Sequence, residues 1–148
     1  GIDEKAEAQE WQTDLSADID FMIPEHFGVA AEIQRWILKT STKQQPALAF
    51  AATLTIMSAV VGRYLSCDGI KGNFMSICIA DSTEGKDRPI KCVKEILDNI
   101  GLDRNHQGEA NSGAALMDIL ESQPNTALLL DEVGHYFSSF LNLSKLTL

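Results

Sequence analysis

At 148 residues with 45% apolar content, the chain is long enough to build one domain with a real core. Its net charge of −9 and pI near 4.7 exclude a general grip on nucleic-acid backbones, which rests on Lys and Arg neutralising phosphates. The three cysteines, Cys67, Cys78 and Cys92, form no C-x-x-C pair, so no zinc or redox motif is expected, and an odd count without a framework fits a reducing cytoplasm.

Residues 1–22 lack periodicity and read as a flexible acidic arm, with Trp11 placed to dock on the body. Its opening, "GIDEKAEAQEWQTDLSAD", is the reverse of a basic secretory leader. Residues 23–62 read as a helical hairpin. "PEHFGVAAEIQRWILKTS" predicts a first helix with Pro24 and Glu25 in its opening turn. Phe27, Ala30, Ile33, Trp36 and Ile37 fall on one stripe at helical spacing. The second helix runs from about Gln45 to Val61, with Pro46 tolerated where its missing N–H has no partner anyway. "PALAFAATLTIMSAVVG" carries no charge. A membrane span needs about 20 predominantly apolar residues, so a helix buried on most sides is expected instead, with no membrane contact.

Residues 63–148 change character. Arg63–Cys67 and Asn73–Ala80 read as short strands, with Asp68-Gly69 and Gly72 as turn residues between them. "FMSICI" suits the inner strand of a sheet covered on both faces, and Cys78 within it reads as a buried thiol. From Asp87 to Ile100 the period is helical, with Ile90, Val93, Ile96, Leu97 and Ile100 on one face and Gly101 as the stop. "LDRNHQGEANSG" is a long polar loop. Asn111 or Ser112 can cap the next helix, whose Ala115, Leu116, Ile119 and Leu120 face inward. Pro124-Asn125 turns the chain into "TALLL", a short buried strand ending in Asp131-Glu132. This order predicts an α/β fold: a partial, parallel, P-loop NTPase-like sheet preceded by the helical hairpin. So few strands suggest the N-terminal part of a longer domain, with more sheet to come.

"ADSTEGKDRP" outlines a phosphate-binding loop, G-x-x-x-x-G-K-[ST], with Ala80 in place of the first Gly and Asp87 in place of the final Ser/Thr. A helix N-terminus offers unpaired N–H groups and a partial positive charge, and a tight loop before it can wrap further N–H groups around an anion. Ser82, Thr83 and Glu84 form that loop, Gly85 lets backbone approach phosphate, and Lys86 supplies charge to the β/γ-phosphates. Asp87 offers a hard oxygen to Mg²⁺, or serves simply as a first-turn helix acid. Arg88 reaches either a phosphate or solvent. Pro89 fixes the helix start near Lys86 or Asp87. In "TALLLDE", Asp131 is placed to hold Mg²⁺ at a strand end and Glu132 to act as general base for an attacking water. Lys86 and Glu132 are thus the candidate catalytic residues, against the plainer alternative of a solvated acid pair. His26, His106 and His135 are scattered and form no ligand set.

The segment from Pro24 to Phe140 resembles the P-loop ATPase domain of phage and prophage replication proteins, described as helicase- or primase-associated and often fused to primase–polymerase modules. The resemblance is carried by "PEHFGVAAEIQRWI", "QPALAFAATLTIMSAVVGR", "ADSTEGKDRP", "SGAALMDIL" and "LLLDEVGHYF". It implies ATP and Mg²⁺ as ligands, with Gly85, Lys86 and Asp87 as phosphate and metal contacts and Asp131 and Glu132 as the metal-holding and catalytic acids. It also implies later strands with a polar sensor and an arginine finger, assembly into a homo-oligomer, and DNA contact through other parts of a larger protein. A non-catalytic assembly module built on a truncated P-loop domain is the competing expectation.

Overall fold

The computed structural model describes residues 20–80, 85–108 and 113–130. Among these, α1 (Val29–Thr40) and α2 (Pro46–Val61) form the hairpin, followed by β1 (Ser66–Cys67) and β2 (Ile70–Lys71). Then come α3 (Asp87–Asn99), β3 (His106–Gln107), α4 (Gly113–Ser122) and β4 (Ala127–Leu128).

The first helix starts later than its sequence predicts. Pro24 opens a 3-10 turn over Glu25–Phe27, and Gly28, at φ 58 and ψ −118, breaks the path before α1 begins. The buried face turns accordingly. Ala31, Gln34, Ile37 and Leu38 are buried, Ile33 and Trp36 half-buried, and Phe27 lies 60% exposed, off the expected stripe. Gln34 is the unexpected member. A buried amide must find partners, because an unmet one costs its desolvation. Its Oε1 accepts from the Ile23 N–H at 2.7 Å, and its Nε2 donates to the Phe21 carbonyl at 2.6 Å and to the Pro46 carbonyl at 3.4 Å. One side chain thereby ties the entering strand of backbone to both helices. Phe21 completes the tie with its ring edge-to-face on Phe50 at 6.0 Å.

Helix α2 is apolar on nearly every side and spans the expected residues. Its Ala49, Ala52, Ile56 and Ala59 enter a core with Ile37 and Leu38 of α1, Cys92, Val93 and Leu97 of α3, and Ala127 of β4. The buried Thr53 satisfies its hydroxyl on the Ala49 carbonyl at 2.8 Å. Each fully buried large side chain, such as Ile37, Ile56 or Leu97, contributes roughly 1.5–3 kcal/mol. No helix among the described residues is long and apolar enough to cross a membrane.

Beyond α2 the expected strands are only partly present. Ser66 pairs with Lys71 and Cys67 with Ile70 in an antiparallel hairpin, and Asp68-Gly69, at φ 51 and 80, makes its two-residue turn. Residues 73–80 form no strand, contrary to the expectation from "FMSICI". They pass over the outer side of α2, where residues 74 and 76–79 roof a groove of about 350 Å³ together with Phe21, Phe50 and Ala51. Met75 is 88% and Ile79 95% exposed, and Cys78 is exposed rather than buried. A strand takes its regularity from hydrogen bonds to a neighbour, and no described strand lies alongside this run.

Helix α3 matches its predicted limits, burying Pro89, Cys92, Val93 and Leu97, while Ile100 is exposed. Gly101, at φ 78, ends it in a Schellman arrangement: the Leu102 N–H reaches the Leu97 carbonyl at 2.8 Å and the Gly101 N–H the Asp98 carbonyl at 3.0 Å. The polar loop after it holds a 3-10 turn over Asp103–Asn105 and then β3, which pairs in parallel with β4. The chain crosses between these two strands through α4, the connection that parallel pairing requires. Asn125 donates its side-chain amide to the Ala59 carbonyl, fixing the turn before β4 to the end of α2.

Replacing Gln34 by Leu leaves the Ile23 N–H and the Phe21 carbonyl unmatched and should cost about 1–3 kcal/mol in urea unfolding. Lys39→Ala, on the exposed end of α1, should change stability by less than about 0.5 kcal/mol in the same measurement.

Candidate functional site

The head of α3 is where the sequence places the phosphate-loop residues, and the backbone there has a defined shape. Gly85 sits at φ 71, in the left-handed region that L side chains enter at a cost of roughly 1–2 kcal/mol. Its carbonyl accepts from the Arg88 N–H at 3.3 Å. Lys86, at φ −58 and ψ −25, already has helical geometry, and Asp87 is the first helical residue. The residue at the cap makes no side-chain capping bond. The first N–H groups of α3 have no intrahelical acceptor, and Pro89, buried in this turn, has no N–H to leave unpaired. Asp87 is exposed at this positive helix end, a favourable place for a carboxylate.

The turn joining α1 to α2 lies against this loop. A Cβ built on Gly85 would stand 3.8 Å from the Lys43 Cβ and 4.0 Å from the Lys43 nitrogen, which is ordinary van der Waals contact. Space therefore allows a side chain at residue 85, and only the backbone angle resists one. The same contact brings the backbone of a second lysine to the loop. Nothing in the local sequence signals Lys43, because it belongs to the hairpin and meets residue 85 only through folding.

The Arg88 side chain lies between α3 and α1. Its guanidinium carbon lies 5.5 Å from the centroid of the Trp36 ring, and Nη1 pairs with Glu95 Oε2 at 3.2 Å. The Nε atom is buried without a hydrogen-bond partner among the described residues. The side chains of Arg88 and Glu95 are 30% and 46% exposed, so this ion pair by itself stabilises by at most about 1 kcal/mol.

Cys92 lies fully buried one turn below Arg88, with its sulfur 4.0 Å from the Thr40 hydroxyl. Burial raises its thiol pKa, while the Arg88 charge and the Thr40 hydroxyl act to lower it and Glu95 to raise it.

Gly85, Lys86, Asp87 and Arg88 therefore stand together at one helix head. Ser82, Thr83 and Glu84, and the acids Asp131 and Glu132, lie outside the described residues. The run leading to those acids is anchored in the same core as α3, since Ala127 is buried there and Leu129 packs against it. Among the described residues no group of three His, Cys, Asp or Glu side chains is placed to hold a metal. Comparison with protein-family models, with curated proteins and with solved structures returned no match to this chain.

Gly85→Ala should lower stability by about 1–2 kcal/mol through its backbone angle alone, read as a fall in thermal midpoint. Gly108→Ala, where an added Cβ meets nothing and φ is not left-handed, should leave it nearly unchanged. The folded state holds the Cys92 proton more tightly than the unfolded chain, so stability is kept at neutral pH and falls as pH rises through and beyond the ordinary thiol range. Urea midpoints measured from neutral pH to about pH 10 should decline more steeply for wild type than for Cys92→Ala. In the native protein a thiol-alkylating reagent should modify Cys67 and Cys78, and should reach Cys92 only after unfolding.

Proposed function

We propose that this chain is the front part of a nucleotide-binding α/β domain, a P-loop ATPase of a phage-type replication protein working in the cytoplasm. The observation that carries this reading is Gly85 in a left-handed conformation feeding directly into a helix whose cap is Lys86, just beyond an apolar run. A left-handed glycine leading into a helix head that carries a lysine is an arrangement that favours a polyphosphate. The parallel β3–β4 pair with its α4 crossover supports the same fold class, because this connection is the unit from which parallel sheets are built.

In this reading the amides of Ser82, Thr83, Glu84 and Gly85 wrap the phosphates, and Lys86 balances charge on the β/γ-phosphates. Asp87 is exposed at the helix head and offers the hard oxygen that Mg²⁺ takes, with Asp131 as the second carboxylate. Bound Mg²⁺ would supply neutralising charge between the phosphates. Glu132 accepts a proton from the attacking water, the water oxygen bonds to the γ-phosphorus, and the bond to the bridging oxygen breaks to leave ADP and phosphate. The arginine finger and sensor belong to the rest of a larger protein or to a neighbouring subunit, and DNA contact belongs to other parts of that protein, consistent with the acidity of this chain.

The exposure of Met75, Ile77 and Ile79 favours a second reading, a non-catalytic assembly module that covers these side chains with a partner. Two measurements separate the possibilities. Saturating ATP with Mg²⁺ should raise the thermal midpoint of wild type, by the equivalent of about 2.7 kcal/mol at a hundredfold excess over Kd, and should not raise that of Lys86→Ala. Equal behaviour of the two proteins would falsify the nucleotide reading. Steady phosphate release from the full-length protein that disappears in Glu132→Gln favours the ATPase over the module.

A further inference from the structure

Arg88 is the second positively charged candidate of the loop, after Lys86, and its sequence position invites a phosphate role. The geometry points elsewhere. We propose that Arg88 is a positioning residue: it braces the head of α3 against α1 by setting its guanidinium over the Trp36 ring, and it does not touch the phosphates. This rests on the nucleotide reading of the same site.

Two observations support the brace. Glu95, the ion-pair partner, lies seven residues further along α3, about 10 Å down the helix axis. The guanidinium is therefore drawn toward the C-terminal end of the helix, away from Gly85. It meets there the ring of Trp36, a half-buried side chain packed against the core and hence a fixed platform. A flat guanidinium suits an aromatic face better than a lysine ammonium does. The buried Nε finds no acceptor among the described residues, a desolvation cost that the contacts to Trp36 and Glu95 have to offset.

The backbone of the same residue is bonded to the loop. The Arg88 N–H donates to the Gly85 carbonyl, so one residue grips the loop with its main chain and α1 with its side chain. The α1–α2 turn touches Gly85 from the other direction through Lys43. Losing the brace frees the head of α3 to shift against that turn. The N–H groups at the helix head and Gly85 then lose their fixed placement, and ordering them becomes a cost of binding.

The test is a double-mutant cycle on Arg88→Ala and Trp36→Leu, with Arg88→Lys added, read as the Kd for ATP with Mg²⁺ by calorimetry. Either single change should weaken binding by roughly three- to tenfold, and the double variant no more than the weaker single one. Arg88→Lys keeps the charge but loses the planar stack, and should behave like Arg88→Ala. Trp36→Phe keeps a ring and should bind nearly as wild type, which covers the case in which Trp36→Leu does not fold. If Arg88→Lys binds like wild type, or Trp36→Leu binds normally while Arg88→Ala does not, or the two losses multiply, the brace is wrong and Arg88 acts by its charge on phosphate. Lys86→Ala distinguishes failure of the underlying reading. Wild-type affinity in Lys86→Ala, or no ATP binding by wild type, removes the nucleotide site and with it any positioning role. A thermal-unfolding cycle on the same variants without nucleotide then shows whether Arg88 and Trp36 are coupled. Coupling there keeps the contact itself, and additivity rejects it as well.

Discussion

A helix that is apolar around its whole circumference has to be covered all round, and α2 imposes that demand on every other element. Helix α1 covers one side, α3 another, and Ala127 and Leu129 a third, while Phe21 and the run after Phe74 lie over the remainder. The small residues Ala49, Ala52 and Ala59 let these neighbours approach closely, and Thr53 turns its one polar atom back onto its own helix. The position of α3 is thus a consequence of α2, and the loop at the head of α3 inherits its place from the same packing.

That inheritance makes the hairpin part of the site. The turn between α1 and α2 lies beside Gly85, Thr40 at the end of α1 meets Cys92 of α3, and Trp36 lies under Arg88. A sequence view separates the hairpin at 23–62 from the loop that follows. Among the described residues, Trp36, Thr40 and Lys43 of the hairpin lie against the first turns of α3 and the glycine before it. The backbone of Lys43 meets the loop beside Lys86, at a helix end that is itself partly positive.

The parts legible in the sequence are those that local physics decides. The limits of α2 and α3 follow from apolar period, from Pro46 and Pro89 as first-turn residues and from Gly101 as a stop. Asp68-Gly69 announces its turn by residue type. The start of α1 was hidden by a helical period that continues through Gly28, although the backbone there does not. Gln34 was hidden by its polarity, since its place inside depends on carbonyl and amide groups contributed by distant residues. Residues 73–80 have strand composition, but composition cannot provide the neighbour that makes a strand. The two residues of β3 lack any strand signal and pair only because β4 lies beside them. At the candidate site the helix head and Gly85 could be read directly, whereas Trp36 and Lys43 could not, because their contacts span the hairpin boundary.

Helix α3 is delimited at both ends by backbone of the opposite hand, Gly85 before it and Gly101 after it. Neither end can gain or lose a residue without one of those glycines leaving its present basin, and the C-terminal end is further closed by the bond from Leu102 to Leu97. Its length is therefore set, like that of a rod between two stops. Its two stops fix the spacing between Lys86 at one end and Leu102, just before the turn that leads into β3, at the other.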